Sequence, residues 1–340
     1  MSAFLKACRG EPADHTPIWL MRQAGRYQPE YRALREKVSF IELCRTPDLA
    51  TEVTLLPVEQ LGVDAAILFA DILLVLEPLG IGFEFTASDG PHIADPIRET
   101  AQIDGVAEEI HARESLGYVL QTVRQVKAAL AGKVPLIGFA GAPFTLCSYA
   151  IEGGGSRDYR HTKRLMYQDP GAFSELMRKA TTAVIEYMNA QVEAGVEALQ
   201  VFDSWVGCLS PADYLAHVQP HMKRLFMELD SSVPHIHFGT QTATLLELQR
   251  DAGGDVIGLD WRVDLGETWE RLGVESVQGN LDPYALLAPR EELKRRADAV
   301  LHSAGGRPGH IFNLGHGLFP QAEVDQVRAL VDHVHEASAR

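Results

Sequence analysis

The chain has 340 residues, 46% hydrophobic and 23% charged, with 31 Lys and Arg against 46 Asp and Glu for a formal charge of −15. That balance argues against a nucleic acid or an anionic membrane surface as partner, because both are held through an excess of Lys and Arg. No run of about 18 apolar residues offers a membrane span, the segment MSAFLKACRGEPADHTP lacks the apolar centre of a secretory signal, and Cys8, Cys44, Cys147 and Cys208 show no CxxC spacing. The expectation is a cytoplasmic protein with neither a disulfide framework nor a thiolate metal site.

Along the chain, short apolar runs alternate with longer amphipathic stretches. Eight runs read as strands, at residues 17–21, 65–72, 134–140, 198–204, 234–239, 256–261, 276–280 and 310–314; helix-sized segments at 47–61, 172–194, 211–229, 242–252, 289–304 and 321–335 lie between or after them. Such alternation implies parallel pairing, and eight units imply an α/β fold closed into a single (β/α)8 TIM-type barrel over 1–340. An open doubly wound sheet would normally carry GxGxxG after its first strand, and none is present. The glycine run from Glu152 to Ser156 lacks the GK[ST] of a phosphate loop and reads as a flexible loop over the barrel mouth.

Barrel enzymes place their chemistry in a cleft at the C-terminal ends of the strands. Here those ends carry Arg22, Asp71, Gly141, Asp203 with Ser204, Thr240, Asp260, Asn280 with Asp282, and Asn313 with His316, in that order. The stretch PIWLMRQAGRYQPEYRALR runs from apolar residues straight into Arg22, Gln23, Ala24, Gly25 and Arg26. Two guanidinium forks flanking a glycine suit carboxylates or phosphates, each bound through paired charge-assisted hydrogen bonds; the plainer alternative is surface pairing with Glu30 and Glu36. Asp71 stands alone in AAILFADILLVLEPLG, as a structural acceptor for backbone amides or a functional carboxylate with a shifted pKa. Tyr149 in GAPFTLCSYAIEGGGS reads by itself as packing, Ser204 in LQVFDSWVG as a cap or turn, and His316 in NLGHGLFP as a loop residue whose flanking glycines allow close approach of a ligand.

The segment MRQAGRYQPEYRALR resembles the N-terminal signature of the uroporphyrinogen decarboxylase family. GAPFTL, EGGGS, GLDW, QGNLDP and NLGHG follow in the family's order, so the likeness covers almost the whole chain. The resemblance implies a carboxy-lyase of haem biosynthesis that removes the four acetate carboxyls of uroporphyrinogen III to give coproporphyrinogen III, working without cofactor or metal as a homodimer with facing cleft mouths. It implies Asp71 as the carboxylate on which pyrrole N–H groups converge, Tyr149 reaching the reacting acetate and Arg22 orienting carboxylates and helping to deliver a proton. Gln23, Ala24, Gly25, Arg26, Ser204 and His316 complete the implied substrate contacts. Other enzyme classes of this fold require residues in other places. His235 and His237 form an HxH on the fifth strand, whereas metal hydrolases of this fold carry theirs on the first; the zinc site of cobamide-dependent methyltransferases needs an HxC and a later cysteine that are absent here. A tetrapyrrole carrier using the same cleft without turnover is the non-enzymatic reading.

Overall fold

The structure, a computed structural model, describes residues 1–86 and 90–340. Its strands are β1 (Ala66–Ile67), β2 (Glu84–Thr86), β3 (Gly90–His92), β4 (Leu136–Gly141), β5 (Ala198–Asp203), β6 (His235–Gly239), β7 (Val256–Gly258), β8 (Ser276–Gln278) and β9 (His310–Ile311). Seven of them form one sheet in the order β1-β4-β5-β6-β7-β8-β9, parallel throughout. Every residue of β4 and β6 is buried, as expected of strands covered on both faces. The sheet is curled. Gln278 on β8 donates to Gln200 on β5 at 3.0 Å, although a flat sheet would set strands three places apart roughly 14 Å from one another.

The expected first strand, residues 17–21, is not a ladder strand. Ile18 makes a single parallel bridge to Phe312 beyond β9, and its carbonyl accepts the Asp64 N–H just before β1. The reason is local. Three of its amides bond to side chains instead of a neighbouring strand: Ile18 N–H to Asp64 Oδ2, Leu20 N–H to Gln23 Oε1 and Met21 N–H to Asn313 Oδ1. The β2–β3 hairpin falls in a polar stretch that gave no strand signal. The remaining expected strands stand, shortened, and a curled seven-stranded parallel sheet takes the place of eight ladder strands.

Helices cover the outside. Pro47–Leu61 begins on a proline and ends at Gly62, whose φ of 71° is the left-handed stop that glycine adopts freely. The 25-residue helix Pro170–Ala194 starts where Asp169 accepts the Ala172 N–H. The expected helix 211–229 is two, Pro211–His217 and Gln219–Glu228, because Pro220 lacks the N–H that would continue the first. Glu152 and Gly153, expected in a flexible loop, instead end the helix Pro143–Glu152; Gly153 caps it and its carbonyl accepts the Ile93 N–H.

Below β1, Asp64 ties three distant segments together: it accepts from His15 at 2.9 Å, His335 at 2.8 Å and the Ile18 N–H at 2.7 Å. Burial works to raise its pKa, but those hydrogen bonds prevail and hold it below the usual carboxylate range.

Candidate active site

The loop after the expected first strand turns at Arg22, whose φ of 59° is uncommon for a residue with a Cβ and is held by its surroundings. Gln23 is buried and points inward: Oε1 accepts the Leu20 N–H and the amide donates to the Ala65 carbonyl. Its side chain therefore braces the loop and does not line the cleft. Ala24 packs beside Tyr31, Leu43 and Val53, and the Gly25 N–H goes to Gln28 Oε1. Arg22 and Arg26 are the exposed cations of the turn.

Asp71 caps the 3-10 helix Ile72–Leu76 by accepting the Leu73 N–H on Oδ1 at 2.9 Å. Four buried apolar residues, Leu73 to Leu76, follow in the same helix. Burial raises the Asp71 pKa to about 6, against the opposing pull of the Leu73 amide and the Arg22 charge. A carboxylate made expensive by its surroundings and favoured by one cation is poised to meet a positive or N–H-bearing ligand.

Tyr149, on helix Pro143–Glu152, forms the neighbouring wall. Its ring stacks on Trp205 at 3.7 Å between centroids with 29° between planes, and Tyr159 meets the same indole edge-on at 5.2 Å. Burial, and then the Asp71 charge, push its hydroxyl up to about 12, with Arg22 opposing; at neutral pH it is a proton-bearing donor. Ser204 follows β5 and is half-buried, and its carbonyl accepts the Thr240 hydroxyl at 2.5 Å.

His316 reaches the same place from beyond β9. The Leu318 N–H bonds to the Met21 carbonyl, and a Cβ on Gly317 would fall 2.5 Å from Arg22 Cδ. Glycine there lets the NLGHG loop lie on the arginine stem. The Gly317 N–H donates to His316 Nδ1 at 2.7 Å, so the proton of the neutral ring sits on Nε2. Burial first, and then the Arg22 charge, lower its pKa to about 4. Arg22 thus acts on the ionisation of Asp71, Tyr149 and His316 alike, which makes these four one electrostatic unit. Arg26 stands outside that unit; its charge is felt by Tyr31.

Three participants carried no distinguishing sequence signal. Trp205 stacks on a tyrosine 56 positions away in sequence. Thr145 donates to Asp203 at 3.0 Å and receives the Trp205 N–H at 3.2 Å. Arg262 is paired with buried Asp260 at 2.7 Å, and both charges act on His316.

His235 and His237 share a face of β6, but it packs against Phe226 of an outer helix, with ring centroids 6.3 and 4.9 Å away. His237 Nδ1 bonds to the Gly253 carbonyl, and burial lowers its pKa to about 4. Among the described residues, the grouping of three His, Cys, Asp or Glu side chains close enough for a metal is His15, Asp64 and His335, whose ligand atoms already hydrogen-bond one another beneath the sheet. An open depression of about 540 Å³, lined by residues such as Gly80, Phe83, His92 and Gln102, includes none of the four coupled residues.

The uroporphyrinogen decarboxylase family model matches residues 1–337. The uroporphyrinogen decarboxylase of Sorangium cellulosum is 58% identical over 334 residues, covering 98% of this chain and 95% of that protein. That of Carboxydothermus hydrogenoformans is 54% identical over 338 residues, covering 99% and 96%. Among solved structures, a methyltransferase from Methanosarcina mazei superposes with a TM-score of 0.83 over 98% of both chains at 19% identity. A B12-independent methionine synthase from Shewanella does so at 0.60, over 88% of this chain and 90% of that one, at 11% identity. At those identities the two structural matches speak to the fold alone.

Proposed function

The chain belongs to the uroporphyrinogen decarboxylase family, and we propose that its cleft removes the carboxyl groups of the four acetate side chains of uroporphyrinogen III, yielding coproporphyrinogen III and four molecules of carbon dioxide. The observation that carries the reading is the grouping of Arg22, Tyr149 and His316 around an Asp71 carboxyl lifted to about pH 6.

A decarboxylation needs a place for the electron pair of the breaking C–C bond. The substrate can provide it. Protonation of a pyrrole carbon next to nitrogen makes a cationic, imine-like ring, which accepts that pair as carbon dioxide departs. A proton then completes the methyl group, and the ring returns its first proton, so that each cycle exchanges one carbon dioxide for one hydrogen. Asp71, about nine-tenths ionised at pH 7 on a pKa of about 6, receives the pyrrole N–H groups and opposes the ring cation where a fixed charge counts most. Arg22 and Arg26 hold the carboxylates that crowd the substrate's periphery, and Arg22 assists proton delivery from solvent. The Tyr149 hydroxyl and His316 Nε2–H are neutral donors for the reacting acetate and its neighbours, with Ser204 on the rim.

We read 1–340 as a single unit, in keeping with the unbroken family match. Residues 17–21 serve as an irregular eighth stave that closes a TIM-type barrel, a reading supported by their bonds to both sheet edges. A cytoplasmic homodimer with facing clefts completes the proposal, and no helix among the described residues is long and apolar enough to cross a membrane.

The test is anaerobic incubation with uroporphyrinogen III and a strong chelator, followed by oxidation and separation of porphyrins by carboxylate number. Products descending to the coproporphyrin level support the proposal. Unchanged starting material that the protein nevertheless binds would replace it with a carrier.

A further inference from the structure

β5 ends on a carboxylate to which the proposed chemistry gives no part. Asp203 is fully buried, and its Oδ1 accepts the Thr145 hydroxyl at 3.0 Å. Its Oδ2 has no hydrogen-bond partner among the described residues, nor has the buried Tyr214 hydroxyl, which feels the Asp203 charge. A buried carboxylate without a cation is costly when ionised. The Thr145 oxygen that donates to Asp203 also accepts the Trp205 N–H at 3.2 Å, and the Trp205 ring is the surface on which Tyr149 stacks. One path therefore runs from Asp203 by hydrogen bonds through Thr145 to the Trp205 backbone amide, and by ring stacking from Trp205 to the tyrosine beside Asp71.

We propose that Asp203 is a positioning residue that works in its protonated form, holding Thr145, and through it Trp205 and Tyr149, in the geometry the cleft requires. This inference rests on the decarboxylase reading for its kinetic consequences but not for its structural ones. A protonated carboxyl suits the site: Oδ1 accepts from Thr145, and the acid proton makes Oδ2, which has no partner among the described residues, a neutral donor in place of a charge. Ionisation removes that donor and leaves a bare charge in the core. Burial pushes the Asp203 pKa up to about 7, with the Thr145 hydroxyl opposing, so the change falls within the neutral range. The titratable groups facing it stay out of that range: burial raises Tyr214 well above the ordinary tyrosine value, and raises Cys208 to about 11. Because the folded pKa lies above the unfolded one, the stabilisation from the acid form is complete below pH 4 and is lost as pH climbs through 7.

The experiment compares Asp203→Asn, Asp203→Ala and Thr145→Val with the unaltered protein from pH 5.5 to 8.5. Asparagine reproduces the acceptor and donor of the acid form but cannot ionise. Asp203→Asn is expected to keep kcat/KM within about threefold at pH 6 and to lose the decline expected of the unaltered protein above pH 7. Asp203→Ala and Thr145→Val are each expected to lose about tenfold or more, and the double variant no more than either, because both break the same path. Tryptophan emission is read alongside: a transition near pH 7 is expected in the unaltered protein, absent from Asp203→Asn and from Trp205→Phe. An asparagine variant as impaired as the alanine one at pH 6, or emission that titrates identically in Asp203→Asn, would overturn the proposal. Should uroporphyrinogen prove not to be the substrate, the kinetic arm falls with the function, while the emission arm still decides the role of Asp203.

Discussion

Gly317 offers a way to displace Arg22 without replacing any group proposed to meet substrate. A Cβ added there would lie 2.5 Å from Arg22 Cδ, 2.7 Å from Cγ and 3.0 Å from Nε. Carbon atoms rest at about 3.5–4.0 Å, so in Gly317→Ala the arginine stem must retreat by about 1–1.5 Å. Gly317 is not among the positive-φ glycines, so the backbone itself accepts alanine. Arg22 is exposed, and its displacement should cost stability no more than about 1 kcal/mol. Catalysis should suffer far more, because a misplacement of about 1 Å can cost on the order of 100-fold, and the same guanidinium biases Asp71, Tyr149 and His316. Steady-state decarboxylation beside a thermal melt measures both. A loss of about 10- to 100-fold in kcat/KM with a nearly unchanged melting temperature is the expected result; full activity would refute the claim that the Arg22 position organises the cleft.

The acid side of the pH profile should report Asp71. Its carboxylate form is the working one, so kcat/KM should fall about tenfold per pH unit below about 6, with the midpoint shifted in Arg22→Gln, where the cation opposing the burial effect is gone. Beneath the sheet, His335→Gln should destabilise by about 1 kcal/mol at pH 5.5 and by less at pH 8.5. The sign follows from the direction of both shifts: the Asp64 hydrogen bond raises His335, whose contribution is lost as pH rises through its folded pKa, while Asp64 lies below its ordinary range and loses its contribution only on strong acidification. Chemical denaturation at the two pH values reads the difference, and equal losses would mean that the contact holds no charge.

The alternation of apolar runs and amphipathic stretches made most of the parallel sheet legible, and where punctuation was unambiguous the boundaries were too: Pro47 and Gly62 bracket a helix at the expected residues. Elsewhere a proline interrupts a continuous amphipathic stretch, as at Pro220, which divides one expected helix in two. Residues 17–21 have the composition of a strand, yet Asp64, Gln23 and Asn313 supply the acceptors that a ladder would have supplied, and no periodicity in the segment reveals partners so far away in sequence. The site shows the same division. Arg22, Asp71, Tyr149 and His316 could be singled out by their places at strand ends and by motif likeness, and the fold brings them into one electrostatic unit. Gln23 sits inside the same motif but braces the loop from the core side. A short motif reports which residues travel together, whereas the direction of a side chain is decided by acceptors elsewhere. On β6 the period of two places His235 and His237 on one face, but a strand buried on both sides does not declare which face meets the helices.

A fixed negative charge at Asp71 that stabilises the ring cation is removed by Asp71→Asn, assayed with uroporphyrinogen III under chelation beside a binding measurement and a melt. Asparagine keeps the shape and the acceptor for the Leu73 N–H while removing the charge. Turnover is expected to fall by about 100-fold or more in a protein that melts no lower than the parent, since the costly buried charge is gone. Near-parental turnover would contradict it, and would remove Asp71 from the chemistry.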